Sequence, residues 1–94
     1  MAGLDYLKMF SSENTVRMYR GSVRDFLISV YGKAIENGEL DRLAEEYFKE
    51  GRNYQEDLER YFQSINGNCA PKTRRFKISA VKVFLLENGV ELPA

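Results

Sequence analysis

Ala70-Pro71-Lys72-Thr73-Arg74-Arg75-Phe76-Lys77-Ile78-Ser79-Ala80-Val81-Lys82-Val83-Phe84-Leu85-Leu86-Glu87-Asn88-Gly89 is the stretch that decides the fold. Pro71 suits a first helical position, because proline has no N–H to offer a preceding turn. Asn88-Gly89 supplies the stop, since glycine takes the left-handed conformation that closes a helix. Five cations lie between Lys72 and Lys82 with no acid among them. At about 100° per residue, Lys72, Arg75, Ser79 and Lys82 fall within one narrow arc, and Phe76, Ala80, Val83 and Phe84 on another face. The pattern predicts a helix with an apolar side to bury and a cationic side to present.

Working outward, the rest of the chain must supply a groove for that apolar side. Leu4, Leu7, Met9 and Phe10 predict a short lead-in turn or helix. Ser11-Ser12 offers two N-cap candidates, because a hydroxyl accepts from the first free backbone N–H groups. A long helix follows from about residue 13 to 30 or 31, where Val16, Tyr19, Val23, Phe26, Leu27 and Val30 recur at three- and four-residue steps. Arg17, Arg20 and Arg24 line up within about 60° of one another, away from most of that stripe. Gly32 is a plausible stop. Residues 33–39 are predicted to be a loop punctuated by Asn37-Gly38. A second helix is expected near 40–50, carrying Leu40, Leu43, Ala44, Tyr47 and Phe48, with Gly51 closing it. Asn53 can cap a third helix, with Glu56 reaching back to the Asn53 N–H as a variant capping box. Tyr54, Leu58, Tyr61, Phe62 and Ile65 give that helix an apolar face, and Asn66-Gly67-Asn68 ends it. Val90-Glu91-Leu92-Pro93 is expected to be an extended tail. No run alternates as a strand does. The fold class expected is all-α, a compact four- to five-helix bundle whose amphipathic helices are too weak to stand alone.

Size and composition narrow the function. Ninety-four residues make one small domain, expected to span 1–94 with its core at about 12–89. The formal net charge is zero, but its distribution is polarised: residues 33–66 hold nine acids against five bases, and residues 67–94 hold five bases against two acids. A neutral protein so arranged can still carry a cationic face. Cys69 is the lone cysteine, which excludes an intrachain disulfide and fits a reducing compartment. Without histidine, a zinc site would need carboxylates alone, so no metal or other cofactor is expected. Apolar runs fall far short of a membrane span and no secretory pattern opens the chain, which makes a cytoplasmic location the expectation and a membrane partner not expected. No acid–base histidine, triad or phosphate-cradling glycine loop can be assembled, so no catalytic residue is expected. Cys69, expected in a turn, lacks a base. The carboxylates of 36–59 are expected on solvated helix faces; Glu46 and Glu50 have no third ligand nearby. The six tyrosines fall largely on apolar stripes and are read as core.

Two cationic sets remain. They are either ordinary solvated faces paired with the acidic middle of the chain, or contacts for a polyanion. Guanidinium groups bind phosphate bidentately. Cations also crowd the start of the last helix (Lys72, Arg74, Arg75), where the macrodipole disfavours positive charge unless an anion joins them.

Ser12-Glu13-Asn14-Thr15-Val16-Arg17-Met18-Tyr19, with Val23-Arg24-Asp25-Phe26-Leu27, resembles the opening helix of the N-terminal core-binding domain of tyrosine recombinases, the phage integrases. Ala70-Pro71-Lys72-Thr73-Arg74-Arg75 with Ile78-Ser79-Ala80-Val81-Lys82-Val83-Phe84 looks like that family's last core-binding helix. Asp57-Leu58-Glu59-Arg60-Tyr61-Phe62 is similar to the intervening one, and the wording of the last helix with Val90-Glu91-Leu92-Pro93 is similar to the archaeal branch. The resemblance implies a SAM-like bundle forming one half of a C-shaped clamp on duplex DNA. It also implies a separate C-terminal catalytic domain, missing from this chain, and sister protomers on the DNA. The chain would then be an excised domain or a truncated relative, with 90–94 beginning the interdomain linker. Tyr19 and Tyr61 would not be the nucleophile. The DNA-binding residues implied are Asn14, Thr15, Arg17, Arg20 and Arg24 on the first helix. On the last they are Lys72, Thr73, Arg74, Arg75, Ser79 and Lys82. Lys77 lies nearer the buried arc. The alternatives are a stand-alone helical adaptor that binds a protein, and a recombinase regulator that occupies DNA without cutting it.

Overall fold

Four α-helices form where the spacing of apolar residues places them, and a computed structural model describes them over residues 3–67 and 70–91. A 3-10 turn at Asp5–Met9 leads into α1 (Glu13–Tyr31), α2 (Asn37–Lys49), α3 (Tyr54–Ile65) and α4 (Pro71–Glu87). No strand occurs among the described residues. Cys69, Asn68, Leu92 and Pro93 lie outside them.

The caps explain most of the boundaries. The Ser12 hydroxyl accepts from the Thr15 N–H at 3.3 Å, and Gly32 ends α1 in the left-handed region at φ 68°. Asn53 caps α3 by accepting from the Glu56 N–H at 3.1 Å. The expected return bond of a capping box is replaced: the Glu56 carboxylate takes Arg60 one turn on, at 3.1 Å. The start of α2 differs from expectation. Asn37 and Gly38, read as loop, occupy its first turn. Ile35 is completely buried just before it and its carbonyl accepts from the Arg24 Nε–H, so the chain is pinned there and turns straight into helix.

The core gathers around Phe26 of α1, which meets Tyr47 of α2 and Tyr61 of α3 edge-on, at 5.6 and 5.4 Å between ring centroids. Phe84 of α4 closes the cluster against Phe48 at 5.0 Å and Tyr47 at 6.3 Å. Edge-to-face rings of this kind add stabilisation beyond the area they bury. Leu4 and Leu7 of the lead-in turn are buried with them, whereas Met9 is exposed. The tyrosines are core or core margin, as expected.

α1 packs most extensively on α4 and also touches α3 and α2, so it is the central helix. α4 packs on both α1 and α3, and this dual contact widens its buried face. Ile78, Ala80, Val81, Phe84 and Leu85 are buried, while Phe76 and Val83, expected on the apolar face with Ala80 and Phe84, are half-buried at its margin. Phe76 meets Tyr19 of α1 edge-on at 5.5 Å.

One polar network sits inside. The Asp57 carboxylate, only 6% exposed, accepts from the Tyr47 hydroxyl at 2.8 Å and from Arg52 Nε at 2.8 Å. Arg52 reaches Glu50 at 3.2 Å and lies 5.8 Å from the centre of the Tyr31 ring; Tyr31 donates to Glu50 at 2.9 Å. Burial, then the neighbouring carboxylates, pushes the Tyr47 and Tyr31 hydroxyls above their ordinary pKa. Asp57 thus departs from the solvated acidic face expected of the middle segment.

Candidate nucleic-acid interface

The cationic arc of α4 forms as its spacing implies. Lys72, Arg75, Ser79 and Lys82 are all exposed, and Leu86, 55% exposed, continues the same side toward the C-terminus. Pro71 takes the first helical position. Ala70 precedes it with no side-chain cap, and no acid stands in the first turn. The free N–H groups there and the cations of Lys72 and Arg74 therefore share one end of the helix. Lys72, Arg75 and Lys82 form no ion pair among the described residues.

Arg74 is half-buried, and its guanidinium donates to the Asn66 side-chain oxygen at 2.7 Å. That contact turns it toward the end of α3. Arg74, Arg75, Ser79 and Lys82 then rim a hollow of about 390 Å³ whose apolar lining is Ile78 and Phe62 of α3. Phe62 was expected in the core. It is 45% exposed, because it stands roughly 70° from the centre of the α3 stripe, beyond the seam with α4. Thr73 is exposed on the first turn, outside this rim. Lys77 points the other way, onto Asp25 of α1 at 3.5 Å, in agreement with its place near the buried arc.

The α1 set divides. Arg17 is exposed and forms no ion pair among the described residues. Arg20 pairs with Asp41 of α2 at 2.9 Å, and Arg24 is half-buried on the Ile35 carbonyl. Both arginines thus lean toward α2, while Asp25 on the opposite shoulder of α1 meets Lys77 and the Tyr61 hydroxyl, the latter at 2.8 Å. Arg17, Arg20 and Arg24 line their own hollow with Glu13, Val16 and Gly21, separate from the α3–α4 one. Asn14 is exposed, with its amide 3.8 Å from the Met18 sulfur; Thr15 is half-buried at the cap. The structure therefore brings together the α4 residues 74, 75, 79 and 82, with 72 and 73 at the same helix end. It draws Arg20 and Arg24 into the α1–α2 seam. A helical period gives the angle of a side chain on its own helix and says nothing about a carboxylate such as Asp41 arriving from elsewhere.

Glu46 pairs with Arg42 and Glu50 with Arg52, and among the described residues no group of three or more potential ligands is placed to hold a metal ion. No helix among them is long and apolar enough to cross a membrane.

No protein-family model matches the chain, and no curated protein or solved structure matches it significantly. The class defined by fold and surface is a small all-α bundle whose last helix exposes Lys72, Arg75 and Lys82 with no ion pair among the described residues.

Proposed function

We propose that this chain is a non-catalytic DNA-binding domain, the core-binding half of the clamp of a site-specific tyrosine recombinase. The observation that carries the reading is the α4 face, where Lys72, Arg75 and Lys82 stand exposed and form no ion pair among the described residues. Among the described residues, four of the seven ion pairs join arginines of α1, α2 or α3 to acids of α2 or α3, and two more join Arg52, between α2 and α3, to Glu50 and Asp57. Cations of α4 left out of that pairing in a neutral protein are available to an external polyanion. The resemblance of α1 and α4 to the recombinase helices names the polyanion as duplex DNA.

In this reading Arg17 of α1 and Lys72, Arg74, Arg75 and Lys82 of α4 contact phosphates. Asn14, Thr73 and Ser79 hydrogen-bond to phosphate or reach a base edge. Arg20 and Arg24 hold α2 and its approach, and so orient α1 rather than bind. Strand cleavage, and assembly with sister protomers, would belong to a catalytic domain on the same polypeptide.

The test is titration of duplex DNA at several salt concentrations. Five cations each meeting one phosphate give a log–log slope of about −4 to −5, with dissociation constants on the order of 10⁻⁴–10⁻⁶ M at physiological salt. Arg75→Ala and Lys82→Ala should each weaken binding and flatten the slope by about one unit. A slope near zero, or indifference to both substitutions, refutes the reading and leaves a protein-binding adaptor, for which exposed Phe62 and Leu86 are the contact residues.

A further inference from the structure

The hollow between α3 and α4 holds more than a duplex backbone needs. In the DNA reading Arg74, Arg75 and Lys82 would meet phosphates, but Phe62 and Ile78 between them offer apolar surface that sugar–phosphate does not use. Phe62 is among the few large apolar side chains left exposed in the described bundle, and it stands beside three of the chain's cations. A ligand complementary to both features is anionic and carries a flat apolar group. We propose that this hollow binds an unpaired nucleotide of a DNA strand, its base on Phe62 and its phosphates on Arg74, Arg75 and Lys82. This rests on the DNA reading above and extends it from duplex to single strand at the same helix.

Three details fit. The hollow, of about 390 Å³ and open to solvent, has room for a base laid against Phe62. Arg74 is held in place by Asn66, so one guanidinium is oriented before the ligand arrives. Ser79 puts a hydroxyl that can donate or accept on the same rim. Aromatic side chains set in cationic grooves bind single strands with little sequence preference, because every base has a π-face.

The experiment measures fluorescence anisotropy of three labelled probes of equal length: a single-stranded oligothymidylate, a duplex, and a strand of abasic sugar–phosphate units. Wild type is compared with Phe62→Leu, which keeps an apolar side chain and loses the ring, and with Lys82→Ala, an exposed rim position. Circular dichroism melts confirm that both variants fold. Phe62→Leu should weaken oligothymidylate binding about fivefold or more, the low end of what one stacked base contributes, and leave duplex and abasic binding within about twofold. Lys82→Ala should weaken all three. Equal loss on all probes, or none, for Phe62→Leu overturns the inference while the duplex arm still tests the DNA reading. Duplex binding absent with Phe62-dependent single-strand binding retained overturns the duplex reading and supports the hollow. A labelled acidic Glu/Leu peptide is titrated as a fourth probe: Phe62-dependent binding of it, with no such dependence for the oligonucleotide, makes the hollow a peptide site and overturns the inference.

Discussion

Asp57→Ala tests whether the buried network, rather than the aromatic cluster alone, fixes how α2 meets α3. The substitution removes acceptors used by the Tyr47 hydroxyl and by Arg52 Nε, each at 2.8 Å, and by Arg52 Nη2 at 3.4 Å. Tyr47 is completely buried, so its hydroxyl is left without a partner, a loss of about 1–3 kcal/mol. The Arg52 side chain is 30% exposed and keeps Glu50, so its share is screened and close to ~1 kcal/mol. Together the cost is about 2–4 kcal/mol, out of a total of roughly 5–14 kcal/mol for a chain of this size. Urea unfolding should show the midpoint falling by about 1 M or more, and the thermal midpoint by about 10–25 °C. Tyr47→Phe keeps the ring and leaves Asp57 on Arg52, so it should cost only about 1 kcal/mol. The double variant should cost less than the sum of the two, because both remove the same bond. A loss below about 0.5 kcal/mol for Asp57→Ala, or strict additivity of the pair, refutes the reasoning.

Three further outcomes follow from particular contacts. Asp41→Ala breaks an exposed pair, so stability should change by less than about 1 kcal/mol. It also frees the Arg20 guanidinium, and duplex binding should tighten, with a steeper salt dependence in the same titration; unchanged or weaker binding counts against any role for α1. The Tyr6 hydroxyl is buried without a hydrogen-bond partner among the described residues, while its ring lies 6.3 Å from Phe84. Tyr6→Phe should therefore leave stability unchanged or raise it by up to about 1 kcal/mol, and a lower thermal midpoint would contradict this. Burial raises the Tyr47 hydroxyl above its ordinary pKa, and hydrogen bonding to Asp57 raises it further. Above about pH 10 the unfolded chain releases that proton and the folded one retains it, so stability is intact below pH 10 and falls beyond it, Tyr47 contributing about 1.4 kcal/mol per pH unit and the likewise raised Tyr31 and Tyr6 adding to the slope. Urea midpoints at pH 8, 10 and 11 measure this, and a flat profile refutes it.

The helices were legible in the sequence because each carries its own period and its own punctuation. Ser12, Gly32, Asn53 and Pro71 mark termini where the structure has them. What the period could not give is which shoulder of a helix a neighbour covers. Phe62 and Tyr61 are adjacent aromatics at the end of one stripe, yet Tyr61 is buried on Phe26 and Asp25 while Phe62 faces solvent. The difference arises from where α4 crosses α3. Asp57 stands about 70° from the centre of the Tyr54, Leu58 and Tyr61 stripe, so the period put it on the polar flank with the other acids; its partner Tyr47 comes from a different helix, which the period does not show. The site behaves likewise. The α4 arc follows from spacing along one helix, so Lys72, Arg75, Ser79 and Lys82 stand where expected. Arg20 and Arg24 depend on Asp41 and on the Ile35 carbonyl, both distant in sequence.

The two ends of the described chain are stitched to each other. Asn88, just past α4, donates its amide to the Gly3 carbonyl and to the Phe84 carbonyl, each at 2.8 Å. Gly3 in turn lies so close to α2 that a Cβ there would stand 2.9 Å from that of Ala44. Anything tethered at either end therefore hangs from a single corner of the bundle. α4 is seventeen residues long, so its cationic start lies about 25 Å from that anchor point. A bulky neighbour, a tag or a solid support attached at the corner leaves Lys72 and Arg75 pointing into open solvent at the far end.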